Sequence, residues 1–201
     1  MKKIALTGKK VAMLVTDGFE QVEMTEPRKA LEAAGAEVEL VSPKSGRGKG
    51  WQSTDWGDEF DVDVALASAD AGEYDALVLP GGVMNPDKLR TMPEARTFVR
   101  AFFDQGKPVA AICHGPWTLV DAGVVRGRKL TSWPSLQADL KNAGATWVDQ
   151  EVVVDGLLVT SRKPDDLPAF NREMIAAVAQ NAAGATRANG RGTESRNANH
   201  R

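Results

Sequence analysis

The amino-acid sequence predicts a single α/β domain in which helices cover both faces of a mostly parallel β-sheet. Short segments that are apolar throughout alternate along the chain with amphipathic segments about ten to fifteen residues long. Strands without a polar face are typical of parallel sheets that are buried on both sides. With 201 residues, the chain is long enough to bury about 70% of the surface that it exposes when unfolded.

The first half of the chain contains three of these strands, KKVAMLVTD, AEVELVSP and YDALVLPGG. A helix is predicted after the first strand, with Thr25 as its N-cap, Pro27 in its first turn and Gly35 at its end. Residues 44–60 are rich in Gly, Ser, Lys and Trp, and we expect an excursion or a small strand pair there. A helix over residues 93–106 follows the third strand.

The second half begins with a fourth strand, KPVAAICHG, and a helix that starts at PWTLVDAG. A short segment GRKLTSW, a helix PSLQADLKNAG and a hairpin that turns at Asp155-Gly156 come next. The last helix is predicted from Asp165 to about Gln180, so residues 1–180 are expected to form the domain. Residues 181–201 contain few large apolar residues and many Gly, Asn and Arg, which predicts a disordered basic tail.

The composition and net charge of the chain limit the partners and the cellular location that we expect for it. The formal net charge is −2 and 26% of the residues are charged, so neither nucleic acid nor an anionic membrane is expected as a partner. A single cysteine rules out an internal disulfide and is typical of a reducing cytosol. The chain has no apolar run of about 18 residues, and its start resembles a strand rather than a signal peptide, so we expect a cytoplasmic protein.

Several common ligand motifs are absent from the sequence. In SGRGKG, at residues 45–50, a phosphate loop would need glycine where Pro43 lies and Ser or Thr where Gly50 lies. No GxGxxG follows a predicted strand, and one cysteine beside one histidine lacks the spacing of a zinc site. We therefore expect no metal and no cofactor.

The stretch PVAAICHGP contains the only cysteine, Cys113, followed directly by His114. A cysteine at the end of a buried strand is most often a small hydrophobic core residue. Here, however, His114 and Gly115 follow the strand, and a helix is predicted to begin at Pro116. A tight strand–turn–helix connection is the arrangement that presents a catalytic nucleophile. We therefore predict a reactive cysteine whose pKa is lowered by the helix N-terminus.

The ends of three predicted strands carry groups with useful chemistry: residues 17–23, the pair Gly81-Gly82 and the pair Cys113-His114. In parallel sheets ligands bind beyond the carboxyl ends of the strands, so we expect these groups to meet in one crevice. Glycines at such a position also leave backbone N–H groups open to a bound oxyanion.

Three glutamates, Glu20, Glu23 and Glu26, lie near the start of the first predicted helix. Acidic residues stabilise a helix N-terminus, and we attribute Glu20 and Glu26 to that effect. Glu23 is expected near the crevice, where burial would raise its pKa and keep the carboxyl protonated. A protonated carboxyl there would donate to a thiolate or move a proton.

The segment AAICHGPWTLVDAGVVRGRKLTSWPSL, with DGFEQVE upstream and LVLPGG and NPDKLR between, resembles the ThiJ/PfpI superfamily, and most of all its intracellular protease I (PfpI) branch. The resemblance extends over about residues 8–180. It implies a flavodoxin-like three-layer sandwich that carries a cysteine on a nucleophile elbow. It further implies that Cys113 is the nucleophile, His114 its base or orienting group, and Glu23 the carboxyl that contacts the sulfur.

The resemblance also implies how substrate is bound. Backbone N–H groups around Gly82 and His114 would form the oxyanion site, and Gly81, Gly115 and Trp133 would contribute to substrate binding. Branch members resemble TSYP where this chain has TSWP, so Trp133 stands in place of a tyrosine.

The resemblance further implies a homo-oligomer, dimeric or larger, in which Asp87 acts across subunits. In the PfpI branch an acidic residue at this position is supplied by an adjacent subunit to the histidine, and glutamate is typical there. Asp87 is the shorter acid.

The leading functional prediction is a cysteine-dependent stress enzyme that acts on reactive carbonyls, as a glutathione-independent glyoxalase or a protein deglycase. One alternative is an intracellular cysteine peptidase whose Cys113, His114 and Asp87 form a triad across subunits. Another is a non-enzymatic redox sensor or chaperone based on oxidation of Cys113. A glutamine amidotransferase would need a histidine far downstream, where the chain has only His200 in the predicted tail.

Overall fold

The computed structural model describes the backbone of residues 5–190 and the side chains of residues 5–181. The strands are β1 (Lys10–Leu14), β2 (Phe19–Glu20), β3 (Glu37–Ser42), β4 (Arg47–Gln52), β5 (Asp55–Asp61), β6 (Val64–Ala65), β7 (Ala76–Leu79), β8 (Val109–Ile112), β9 (Lys129–Leu130), β10 (Thr146–Trp147), β11 (Val152–Asp155) and β12 (Leu158–Ser161). The α-helices are α1 (Gln21–Ala33), α2 (Met84–Leu89), α3 (Pro93–Asp104), α4 (Pro116–Asp121), α5 (Gln137–Asn142) and α6 (Leu167–Gly190).

Seven strands form the central sheet, in the order β11-β12-β8-β7-β1-β3-β6. Neighbouring strands run parallel except β11, which joins β12 in an antiparallel hairpin. Because β8, β7 and β1 are neighbours at the centre of the sheet, their carboxyl ends meet at one edge. The predicted α/β fold with a mostly parallel sheet is confirmed.

Helices cover both faces of this sheet, so the domain has three layers. Side chains alternate across β1: Val11 and Met13 pack on one face with α1 and α6, whereas Ala12 and Leu14 pack on the other with α2 to α5. Both faces of the central strands are therefore buried, which explains why these strands are apolar throughout.

The segment between β3 and β6 forms a small strand pair, one of the two structures expected for residues 44–60. β4 and β5 pair antiparallel, and β2 adds to β4 in parallel, which gives a second sheet of three strands. In this sheet Glu20 of β2 lies in register with Trp51 of β4. We refer to β4, β5 and their connecting turn as the hairpin; it lies beside the start of α1.

Three helical features differ from the prediction. α1 begins at Gln21, not after Thr25, because β2 directly precedes it, and Pro27 therefore lies inside the helix. α2 follows Gly81-Gly82 and was not predicted. α6 continues to Gly190 instead of ending near Gln180, since this part of the sequence is rich in alanine, the strongest helix former.

The remaining residues of the predicted tail, 191–201, which include His200, lie outside the described residues. Within the described part of the chain, no helix has both the length and the apolar character that crossing a membrane requires.

Candidate active site

The carboxyl ends of β1, β7 and β8 border one cavity of about 570 Å³. Groups from all three predicted strand ends meet there, together with residues of the hairpin. The cavity is lined by Glu20, Glu23, Trp51, Ser53, Gly82, Val83, Met84, Cys113, His114, Trp133 and Pro164.

Cys113 lies on the turn between β8 and α4 with a φ of 61°, a backbone conformation that residues other than glycine rarely adopt. Its N–H donates to the carbonyl of Ser161 at 3.1 Å, and its carbonyl accepts from the N–H of Trp133 at 2.8 Å. These two bonds to neighbouring segments hold the strained turn in place. Cys113 is only 7% exposed and lines the cavity.

Two glycines allow this turn to pack closely against its neighbours. Gly81 lies between Glu23 and Cys113: a Cβ at this position would overlap Glu23 Oε2 and lie 2.6 Å from Cys113 Cβ. A Cβ on Gly115 would collide with carbonyl oxygens at the ends of β7 and β8. The close approach of the three segments therefore requires glycine at both positions.

Glu23 lies in the first turn of α1 and is fully buried. Its Oε2 accepts from the N–H of Gly81 at 2.9 Å, while Oε1 has no hydrogen-bond partner among the described residues. Burial raises the pKa of Glu23 to about 8, although interactions with the Cys113 thiol and the N–H of Gly81 act to lower it. Glu23 is therefore protonated at neutral pH and lies beside the sulfur with one oxygen unpartnered.

The pKa of Cys113 is raised, whereas the sequence predicted a lowered value. Burial is the largest cause, and a charge on Glu23 acts in the same direction. The backbone N–H groups of Gly82 and His114 bond to the sulfur and lower the pKa, but by less than burial raises it. Since α4 has only six residues, its dipole is small. The thiol consequently needs a base to form a thiolate.

His114 lies beside the thiol, with its Nδ1 3.2 Å from Cys113 Sγ. Its Nε2 lies 3.4 Å from Ser135 Oγ, and its ring stacks on Trp133 with 5.9 Å between the ring centroids. Burial lowers the pKa of His114 from its ordinary 6.5. The imidazole is therefore neutral at neutral pH and able to accept the thiol proton.

Asn85, a buried residue of α2, was missed by the sequence analysis. Its Oδ1 accepts from the N–H of Thr16 at 2.7 Å, and its Nδ2 donates to the carbonyls of Pro80 and Gly81. One side chain thus connects the end of β1 to the end of β7. Because asparagine before proline is also common in exposed turns, nothing in the motif distinguished it.

Trp133 lines the cavity, whereas Asp87 lies outside it. Trp133 is 39% exposed and forms part of the wall beside His114. Asp87 is exposed on α2 and does not line the cavity of its own chain. Its predicted approach to a histidine therefore requires a second copy of the chain.

The hairpin forms a wall of the cavity that the sequence analysis did not anticipate. Trp51 and Ser53 belong to it, and Glu20 lies beside them, with Oε2 3.4 Å from the N–H of Ser53. The aromatic residues in GWQSTDW were the only signal of this wall, and its position depends on the pairing of β2 with β4. Among the described residues, no group of three His, Cys, Asp or Glu side chains is arranged to hold a metal ion.

The chain is similar in sequence to known proteins. A family model described as the DJ-1/PfpI family matches residues 9–177. The chain is 48% identical over 171 residues to the protein/nucleic acid deglycase 2 of Escherichia coli, which covers 83% of this chain and 96% of the relative. It is 45% identical over 170 residues to the "Putative cysteine protease YraA" of Bacillus subtilis, again covering 83% and 96% of the two chains.

A solved structure shows the same fold. The crystal structure of a two-domain protein from Anabaena variabilis, with DJ-1/ThiJ/PfpI-like and ferritin-like domains, superposes with a TM-score of 0.80 at 38% identity. The match covers 87% of this chain and 49% of that one, so this chain spans about half its length. With the family model matched over residues 9–177 and relatives at 45% identity or more, the protein belongs to the DJ-1/PfpI family.

Proposed function

We propose that the protein is a cysteine-dependent stress enzyme that converts reactive α-oxoaldehydes such as methylglyoxal, and their early adducts on proteins, into hydroxy acids. One observation supports this proposal most: a strained, buried thiol, a neutral imidazole 3.2 Å from it and a protonated carboxyl face the same cavity. The name of the Escherichia coli relative, a deglycase, agrees with this chemistry.

In the first step His114 Nδ1 accepts the thiol proton of Cys113, and the sulfur adds to the aldehyde carbon. A C–S bond forms, and the π electrons of the carbonyl move to its oxygen. The N–H groups of Gly82 and His114, which bond to the sulfur, lie next to the new oxyanion and stabilise it. Return of the proton from His114 to this oxygen completes a hemithioacetal.

The second step moves a proton between adjacent carbons. His114, neutral again, removes the proton from the hemithioacetal carbon, and protonated Glu23 donates a hydrogen bond to the enediolate. Delivery of the proton to the neighbouring carbon gives a thioester. Water then cleaves the C–S bond and releases lactate and the free thiol, so the sequence consumes neither oxidant nor reductant.

Replacement of the nucleophile tests this proposal. C113A and C113S are expected to convert methylglyoxal to lactate at least about 1,000-fold more slowly than the wild type, because the chain has no second thiol. Circular dichroism and thermal unfolding check that both variants are folded. Lactate formation by folded C113A at the wild-type rate would overturn the proposal.

A cysteine peptidase remains the second candidate, because a thiol 3.2 Å from an imidazole is also the reacting couple of that class. The Bacillus subtilis relative carries such a name. In this case Asp87 of a neighbouring copy would orient His114, which is the role that the sequence comparison assigned to it.

We also infer a cytoplasmic protein that forms a homo-oligomer. The single cysteine favours a reducing compartment. The exposed position of Asp87 on α2 favours contact with a second copy.

A further inference from the structure

We propose that Asn85 is a positioning residue that aims the backbone N–H groups of Gly81 and Gly82 at the reacting groups. Through these two N–H groups it orients the carboxyl of Glu23 and favours the thiolate of Cys113. Its effect on turnover rests on the proposed function, whereas its effect on the thiol can be tested without any substrate.

The two glycines need an outside constraint on the direction of their N–H groups. Gly82 has a φ of 75°, and neither glycine has a side chain that would restrict its backbone. A larger residue cannot supply the restriction, because a Cβ on Gly81 would overlap Glu23 Oε2 and a Cβ on Gly82 would overlap the carbonyl of Gly18. Hydrogen bonds from other residues are therefore needed to set the orientation of both peptides.

Asn85 Nδ2 donates to the carbonyl of each of these peptides. The distances are 3.0 Å to the carbonyl of Pro80 and 3.2 Å to that of Gly81. Both peptides are trans, so each N–H points away from the carbonyl of the same peptide. Holding the Pro80 carbonyl toward Asn85 therefore directs the N–H of Gly81 to the opposite side. There it donates to Glu23 Oε2 at 2.9 Å.

The peptide between Gly81 and Gly82 is arranged in the same way. Its carbonyl accepts from Asn85, and its N–H bonds to the sulfur of Cys113. A carbonyl that accepts a hydrogen bond polarises its peptide and makes the N–H of that peptide a stronger donor. One amide group thus supports both the donor to the carboxyl and the donor to the sulfur.

Asn85 is itself held in one orientation. It is 1% exposed, and its Oδ1 accepts from the N–H of Thr16 at 2.7 Å, just beyond the end of β1. A rotated amide would place its NH₂ group against this N–H and its oxygen against two carbonyls, so only one orientation satisfies all three bonds. The N–H of Val15 donates to the carbonyl of Val41 at 3.0 Å, which fixes this end of β1 to the central sheet. Asn85 thus positions both glycine N–H groups relative to the sheet.

Alkylation of the thiol tests this role without turnover. Leucine in N85L has nearly the size of asparagine but can neither donate nor accept a hydrogen bond. Since a weaker bond from Gly82 raises the pKa of the thiol, alkylation of Cys113 by iodoacetamide at about pH 8 is expected to be about tenfold slower than in the wild type. Because the chain has one cysteine, mass spectrometry follows this thiol alone. If Asn85 only stabilised the fold, its loss would expose the thiol and leave alkylation unchanged or faster.

T160V is the matched control for N85L. Thr160 is fully buried, and its Oγ1 accepts from the N–H of Thr131 at 3.0 Å. Valine therefore leaves one buried backbone N–H without a partner, as leucine does at Asn85. Since Thr160 does not line the cavity, T160V is expected to lower the free energy of unfolding and to keep the wild-type rate of alkylation.

N85D is a second variant, which decides the matter if N85L does not fold. Aspartate keeps an acceptor for the N–H of Thr16 but has at most one O–H donor in place of two N–H donors. The rate of alkylation in N85D is expected to lie between those of the wild type and N85L, about three- to fivefold below the wild type.

Wild-type or faster alkylation in the folded variants of Asn85, or an equal loss of rate in T160V, would overturn the inference. Either result can occur while the wild type still forms lactate through Cys113, so the proposed function would stand. Slower alkylation in N85L, together with a wild type that forms no lactate from methylglyoxal, would instead overturn the proposed function and leave the role of Asn85 intact.

Discussion

Two walls enclose the cavity, and they are built in opposite ways. The wall at the ends of β7 and β8 is buried. Hydrogen bonds to the backbone hold Glu23 and Cys113 there, and the close contacts around Gly81 leave no room for a Cβ at that position. The hairpin wall is exposed along most of β5. It carries surface ion pairs such as Arg47 with Asp61 at 2.9 Å, and exposed pairs of this kind stabilise little.

This difference indicates that the buried wall holds the reacting groups and that the hairpin wall recognises the substrate. Reacting groups must be held within a fraction of an ångström of their productive positions, and buried, hydrogen-bonded backbone provides this. Recognition of a side chain on another protein requires access, and exposed loops and turns provide that. Substitutions in the buried wall should therefore lower kcat and stability, whereas substitutions in the hairpin wall should mainly raise KM.

The largest effect is expected from a methyl group added to the buried wall. In G81A the new Cβ would overlap Glu23 Oε2 and crowd Cys113 Cβ, so the carboxyl or the thiol must move. We expect kcat/KM for methylglyoxal to fall by about 100-fold and the free energy of unfolding by about 1–3 kcal/mol. Steady-state kinetics and denaturant unfolding measure the two quantities.

G48A is the matched control for G81A, because its Cβ would meet only Phe19 Cε1 of the neighbouring strand, at an ordinary 3.6 Å. Although Gly48 belongs to the hairpin, it does not line the cavity, so G48A should keep the kcat/KM of the wild type. If G81A also retained the wild-type kcat, the carboxyl and the thiol would not need to be held this closely.

A smaller effect is expected from W51A in the hairpin wall. The ring is half-buried and packs on Trp56 with 5.5 Å between the centroids. Because the ring lines the cavity, its loss is expected to raise KM for methylglyoxal-modified protein by about two- to fivefold and to change kcat little. A loss of kcat as large as that in G81A would contradict the separation between the two walls.

The central sheet and the turn at Cys113 could be predicted from the sequence because both depend on local patterns. Segments that are apolar throughout indicate buried parallel strands, and a strand followed by Cys-His-Gly-Pro indicates a tight turn. Strand ends in a parallel sheet share one edge, which is why Glu23, Gly81 and Cys113 could be expected near one another.

Other features of the site depend on tertiary contacts and could not be predicted in this way. The direction of the Cys113 pKa shift depends on how much of the thiol is buried, which a predicted helix start does not show. Glu20 was attributed to the helix dipole, yet the pairing of β2 with β4 places it in the cavity wall. Asn85 lies in a six-residue helix, which is too short for a recognisable period.

In the proposed mechanism Glu23 acts in its protonated form beside Cys113. Since burial raises the pKa of Glu23 to about 8, the carboxyl loses its proton as the pH rises through that value. The resulting charge opposes formation of a thiolate and removes the donor to the enediolate. For the wild type, kcat/KM for methylglyoxal is therefore expected to fall above a pH of about 8.

The glutamine side chain of E23Q cannot ionise. The decline of kcat/KM above about pH 8 is therefore expected to disappear in this variant, even if its highest kcat/KM is lower than that of the wild type. The pH profiles of kcat/KM for the wild type and E23Q, compared between about pH 6 and pH 10, therefore show whether protonated Glu23 supports the reaction. A decline near pH 8 in the wild type alone is the predicted result. A decline of equal size in E23Q, or wild-type activity that keeps rising to about pH 10, would contradict it.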